Sequence, residues 1–267
     1  MRRLLGLLAV VAVAAAGCHV LQSAATLPER NTVVLQQLVL YTDFRLPKQH
    51  RLLEELVALR ADVSTRLNLP TSDEPIHVFL FETPDEFRGF MQRNYPTLPS
   101  RRAFFVETDT RLAVYAFWGD RIAEDLRHEV SHGYMHAVVP NLPLWLDEGL
   151  AEYFEVSRGN EGLNRPHLDE LLFRYEQGAW KPDLVRLEQF TDVADMEQID
   201  YAESWAWAHW LLTTTPERRR MLHAYLDALR DRLPAPPLSV QIREHAPRLN
   251  EALIEHLKGL SKVPERI

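Results

Sequence analysis

The sequence predicts an α+β fold, with a small strand-rich lobe first and a mainly helical lobe after it. Two observations predict it. Short apolar runs bounded by turn residues cluster before residue 119, and from Asp120 onward apolar residues recur at helical spacing. No internal repeat interrupts that order. With 267 residues, 46% of them hydrophobic, the chain can bury a sizeable core without a partner.

Residues 1–17 stand apart from that core. Met1, Arg2 and Arg3 give a positive end, Leu4 to Ala16 is an apolar run too short to span a bilayer comfortably, and small residues lead into Cys18. This pattern predicts an export signal at 1–17 and a tether at 18–31. "AAAGC" is similar to the lipobox of bacterial lipoproteins, although Ala15 stands where Leu is usual. The likeness implies cleavage before Cys18 and its lipidation, with His19 rather than Asp matching outer-membrane retention; ordinary cleavage and simple secretion is the alternative. Cys18 is the sole cysteine, so no intrachain disulfide can form. The expectation is an exported protein of the bacterial cell envelope, facing the periplasm and attached to the membrane through Cys18.

The α/β lobe is expected over 32–119. Its first run, 32–44, is apolar and ends in extended-looking sequence, and 47–69 carries Leu52, Leu53, Leu56, Leu59, Val63 and Leu67 at helical spacing, with Pro47 able to occupy the first turn. "IHVFLF" (76–81) reads as a buried strand. Thr83 and Pro84 open a helix with Asp85 and Glu86 in its first turn, and 101–107 and 111–117 read as a strand pair around Asp109. The strand at 111–119 offers either a free edge to an extended peptide or an internal strand, and the sequence does not choose between them; Phe117 and Trp118 are expected to cover the helix rather than line a cleft.

The helical lobe, 120–267, is expected to carry a metal site and to form one catalytic domain with the first lobe. Its first helix starts at Asp120, read as the N-cap, and ends before Pro140; the next, in "PLWLDEGLAEYFEV", follows a very short turn. Further helices are predicted at 166–177, 199–212, 216–232 and 249–260, with Pro234, Pro236 and Pro237 in a loop. The formal net charge of −8, from 38 acidic against 30 Lys and Arg residues, argues against nucleic acid as a partner.

"HEVSH" supplies the chemistry. Residues four apart on a helix lie on one face about 6 Å apart, so His128 and His132 can direct two imidazole nitrogens at one ion, with Glu129 beside them. Glu148 is the favoured third ligand, because the turn at Pro140 to Pro143 can fold the second helix back; Asp147, about 100° round that helix, is the rival. Two histidines and a glutamate form a catalytic rather than a closed structural zinc arrangement. Glu152, one turn beyond Glu148, is expected to hold the second ring nitrogen of a liganding histidine. His136 is read as a surface or packing residue.

"HEVSH" followed by "WLDEGLAEYFE" resembles the gluzincin zinc metallopeptidases, the superfamily that includes thermolysin and a large aminopeptidase family, and more closely the small bacterial peptidase MA-like domains. The resemblance is good over 120–212. It implies a zincin-like fold and Zn²⁺ held by His128, His132 and Glu148. It also implies peptide-bond hydrolysis in which metal-bound water is activated by Glu129, and a transition-state donor from a later helix, for which Tyr201 is the first candidate and His209 the second. Asp147 replaces the Asn of the aminopeptidases, and their GxMEN motif is missing, so endopeptidase and aminopeptidase action both stay open. The metzincin pattern is excluded by Val138, which stands where its third histidine would. A peptide or protein substrate is expected; a catalytically silent metal-binding scaffold or peptide-binding protein is the alternative.

Overall fold

The computed structural model describes residues 26–245 and 248–264; the expected signal at 1–17 and Cys18 lie outside them. No described helix is long and apolar enough to cross a membrane.

The first half builds a five-stranded sheet. β1 (Asn31–Leu35) and β2 (Leu38–Thr42) form an antiparallel hairpin where the sequence reads as one mixed apolar run that is extended only toward its end. Gln36, at φ 51°, turns the chain between them. α1 (Arg51–Leu67) follows with His50 as its N-cap, leaving Pro47 ahead of the helix rather than in its first turn. β3 (Ile76–Phe81), α2 (Pro84–Asn94), β4 (Ala103–Thr108) and β5 (Arg111–Phe117) complete the lobe. Thr83 and Glu86 close a reciprocal capping box at the start of α2.

The strand order is β1-β2-β3-β5-β4, parallel across β2, β3 and β5 and antiparallel at both outer pairs. The edge beside the helical lobe is therefore β4. This decides between the two readings of 111–119: β5 is flanked on both sides as an internal strand, so its backbone cannot receive a peptide. Period-2 alternation separates the faces. Ile76, Val78 and Leu80 of β3 with Leu112, Val114 and Ala116 of β5 belong to the main core, while Phe79, Phe81 and Tyr115 pack with Phe87, Phe90 and Met91 of α2.

The second half is helical: α3 (Ile122–His136), α4 (Leu144–Glu155), α5 (Arg165–Glu176), a short α6 (Leu184–Leu187), α7 (Gln198–Thr213), α8 (Pro216–Arg230), α9 (Leu238–His245) and α10 (Leu249–Leu260). Asp120 is not the N-cap of α3; Arg121 occupies that position without a side-chain bond. α7 is buried on all sides from Asp200 to Leu212, in accord with its continuous apolar character. Its Glu203 is fully buried and satisfied by Trp180 Nε1 at 3.0 Å, the Asp183 amide at 2.5 Å and Arg186 Nη2 at 3.0 Å. The result is a sheet lobe and a helical lobe, consistent with a zincin-like α+β fold.

Two close approaches set the position of α3 and α4. A Cβ on Gly133 would lie 2.9 Å from the Ile76 side chain, so α3 rests against β3 only because this residue is glycine. A Cβ on Gly149 would lie 2.6 Å from the carbonyl carbon of Ser204, so α4 packs backbone-close to α7 for the same reason. The turn between α3 and α4 includes Asn141 at φ 57°, a conformation asparagine tolerates well.

Candidate metal centre

α3 and α4 bring His128, His132 and Glu148 together, with ligand-capable atoms mutually within 4.8 Å. His128 Nε2 lies 3.3 Å from His132 Nε2 and 3.4 Å from Glu148 Oε2, and His132 Nε2 lies 3.8 Å from the same oxygen. Zinc bonds of 2.0–2.2 Å in tetrahedral geometry separate neighbouring ligand atoms by about 3.3–3.6 Å. The triangle therefore has the size of one face of a zinc tetrahedron.

Proton bookkeeping gives the same answer. His128 Nδ1 faces Glu155 Oε2 at 3.1 Å, and His132 Nδ1 faces Asp147 Oδ1 at 2.8 Å. In the neutral rings each Nδ1–H donates to its carboxylate, which turns both Nε2 lone pairs inward. Glu148 Oε2 is buried without a hydrogen-bond partner. Three acceptors facing one another repel unless a cation lies among them. Burial opposes charge on both rings, but Glu148 and Glu155 raise the pKa of His128, and Asp147, followed by Glu148, raises that of His132. The pocket attracts positive charge, and its residues fit a divalent metal ion.

The outer partners differ from the sequence expectation. Glu152 does not hold a liganding ring; it bonds His167 Nε2 at 2.8 Å and lies 3.4 Å from Asn164 Nδ2. Glu155 does so instead. It stands seven residues beyond Glu148, about 20° round the helix against about 40° for Glu152, so the period itself carried the signal. Arg127 Nε donates to the Glu155 carbonyl at 2.5 Å and its Nη1 to Glu55 Oε2 at 3.2 Å, tying the end of α4 to α1. Asp147, the rival ligand, is turned to His132 and to His136 Nε2 at 2.8 Å. His136 is thus neither a free surface nor an apolar packing residue. Its other nitrogen meets Glu107 Oε2 at 2.6 Å, and although burial opposes its charge, Asp147 and then Glu107 raise its pKa to about 10. It is a cationic clamp between β4 and α4.

Glu129 lies on the cleft side of the pocket. Its Oε2 accepts from the Phe105 amide of β4 at 2.6 Å, and burial is the leading cause of its raised pKa. A cleft of about 1750 Å³ has His128 and Glu129 in its wall together with Arg101, Arg102, Phe117 and Tyr201. Glu148 and His132, each 5% exposed, sit behind them. Phe117, expected to cover a helix, lines the cleft instead, and Trp118 packs edge-on against Phe44 and His50 at the start of α1.

Tyr201 begins α7 at the same cleft, 8% exposed, and its hydroxyl accepts a bond from Arg101 Nη2. Burial and then the Glu148 charge raise its pKa, so the phenol stays protonated and its O–H is left to donate elsewhere. His209, the second donor candidate, lies two turns along α7 and is engaged with His256 at 2.9 Å and Thr213 at 3.1 Å. Those partners remove it from the metal cluster. Arg101 carries no motif that could have revealed it; only the fold brings residues 101 and 201 together.

The molecule thus has a mixed α+β fold with a buried His/His/Glu cluster of the kind zinc metallopeptidases use. Comparison of the chain with models of protein families gives no match, and comparison with curated proteins gives none.

Proposed function

We propose that the protein is a zinc-dependent peptidase of the gluzincin type. The observation that carries the proposal is the convergence of two imidazole Nε2 atoms and a carboxylate oxygen without a hydrogen-bond partner at tetrahedral-edge spacing, next to a cleft-facing carboxylate that is not one of them. A zinc ion held by His128, His132 and Glu148 would polarise a carbonyl oxygen and lower the pKa of water.

The protein groups supply the remaining steps. Glu129, fixed by the Phe105 amide, accepts a proton from the attacking water as the new C–O bond forms. It then returns that proton to the amine nitrogen as the C–N bond breaks, so the carboxylate is regenerated. Tyr201 donates its O–H to the carbonyl oxygen as negative charge develops there. Glu155 and Asp147 keep the two imidazoles in the tautomer that faces inward. The cleft, at about 1750 Å³, has room for a peptide or protein segment. Export and attachment through a lipidated Cys18 rest on the composition of 1–18 and would put this activity in the envelope.

E129Q tests the proposal. The variant is expected to keep metal and thermal stability, while chelator-sensitive cleavage of a mixed peptide library falls about 10²- to 10⁴-fold. Wild-type protein with metal occupancy confirmed but no cleavage would favour a silent scaffold. Cleavage unaffected by the substitution would reject Glu129 as the proton carrier.

A further inference from the structure

Three arginines of the cleft wall, Arg101, Arg165 and Arg219, have no acidic partner among the described residues; Arg165 and Arg219 are bonded to the main-chain carbonyls of Val263 and Leu212, and Arg101 is the one of the three whose charge Glu148 and Glu129 support. Among the described residues, Arg66 is paired with Glu161, Arg88 with Asp85, Arg102 with Asp125, Arg121 with Glu124 and Arg127 with Glu55. Arg101 makes a single bond, from Nη2 to the neutral hydroxyl of Tyr201, and its guanidinium carbon stands 5.2 Å from that ring's centre. Four of its five N–H donors remain unspent, on a side chain that is itself half-buried.

A fixed guanidinium presents a planar fork that matches a carboxylate in two parallel bonds. Tyr201 fixes one corner of that fork. Burial opposes the Arg101 charge, while Tyr201 and, after it, Glu148 and Glu129 raise its pKa, yet neither carboxylate bonds to it. Both are committed elsewhere: Glu129 to the β4 amide and the water proton, Glu148 to the proposed metal. The charge of Arg101 is left for something that enters the cleft.

Building on the peptidase reading, we propose that Arg101 is the anchor for a substrate carboxylate and so determines which peptides are taken. Two sources share that chemistry, the peptide's own C-terminus and an acidic side chain. The first would make the enzyme a carboxypeptidase; the second would make it select acidic sequences within a chain.

The test is calorimetric binding to the metal-loaded full chain carrying E129Q, so that nothing is turned over. Three probes of matched sequence are used: a peptide lacking Asp and Glu with a free C-terminal acid, its C-terminal amide, and an amide carrying one internal Glu. The proposal predicts at least tenfold tighter binding of one acid-bearing probe than of the plain amide. A preference for the free acid identifies the C-terminus, and a preference for the Glu amide identifies the side chain. Adding Arg101→Gln is expected to reduce the preference below twofold while the plain amide binds as before, and Arg101→Lys is expected to keep part of it. Equal binding of all three probes to protein with Arg101 intact would overturn the proposal without relying on any variant, as would a preference that survives Arg101→Gln. Hydrolysis by the wild type is measured in parallel. Cleavage without carboxylate preference rejects Arg101 alone, whereas preference without cleavage by metal-loaded wild type rejects the peptidase reading and leaves the anchor standing.

Discussion

Gly149→Ala tests how the metal pocket is held in place. The added Cβ would meet the Ser204 carbonyl carbon at 2.6 Å, its oxygen closer still, and Ala208 Cβ at 3.3 Å. Carbon atoms in contact prefer about 3.5–4.0 Å, so α4 and α7 would have to separate by roughly 1 Å. Two of the three obstructing atoms are backbone and cannot rotate away. Alanine gains about 1 kcal/mol of helix propensity over glycine, which offsets part of the overpacking cost of about 1–3 kcal/mol or more. Because this is the most extensive helix contact of the molecule, the cost should sit at the upper end, leaving a net loss of about 2 kcal/mol. For a chain this size that lowers Tm by roughly 4–8 °C. Glu148 precedes the site directly, so zinc affinity should fall about tenfold as well. Gly133→Ala is the comparison: its Cβ meets only side-chain atoms of Ile76, at 2.9 to 3.2 Å, and no backbone, so it too is overpacked but should cost less. Calorimetric melting and competitive zinc titration measure both quantities. A Gly149→Ala protein as stable as wild type, or less perturbed than Gly133→Ala, would refute the packing argument.

Other predictions follow from the same geometry. H132A and E148Q should each leave purified protein with far less than the one zinc per chain expected of wild type, read by elemental analysis. E155Q and D147N should weaken zinc about 10- to 100-fold without abolishing it, whereas E152Q should leave zinc affinity unchanged and lower stability through His167 and Asn164. If E152Q is the damaging change and E155Q is silent, the assignment of ring partners is wrong. Stability should also fall in acid through His209, whose pKa burial and then His256 depress to about 3. An unfolded histidine binds its proton near pH 6.5, so this contribution is complete above that pH and is lost as pH falls toward 3. The loss is about 1.4 kcal/mol per unit, roughly 2 kcal/mol at pH 5. Denaturant midpoints at pH 7 and pH 5 should show it in wild type and show less in His209→Gln.

What was legible in the sequence was whatever depends on local period. The spacing of His128 and His132 follows from one helical turn, and the strands at 76–81 and 111–117 and the helix at 249–260 coincide with the observed elements. Short-range chemistry failed in several places, α9 (Leu238–His245) after the prolines among them. The β1–β2 hairpin turns at Gln36–Gln37 without glycine, proline or asparagine to mark it, and α6 is too short to show a period. Long-range features had no signal. Strand order decides that β4 rather than β5 is the edge, and no local pattern encodes which strands pair in parallel. The partners of Asp147 escape the sequence for a different reason: its position 100° from Glu148 makes it a rival ligand on paper, while that angle aims it at the outer nitrogen of His132.

That angle explains why neighbouring acids on α4 have separate tasks. Glu148 points at the gap between the two imidazoles, and Asp147 reaches behind the second one to the imidazolium of His136, which Glu107 of β4 holds from the other side. The chain Glu107–His136–Asp147–His132 alternates acid and base from the sheet edge to a proposed ligand. The same edge, at Phe105, holds Glu129. β4 therefore fixes both the orientation of a ligand ring and the carboxylate meant to move the proton, so their relative position does not depend on the bound ion alone. A helix pair by itself could supply the metal ligands; placing the proton carrier against them requires the sheet.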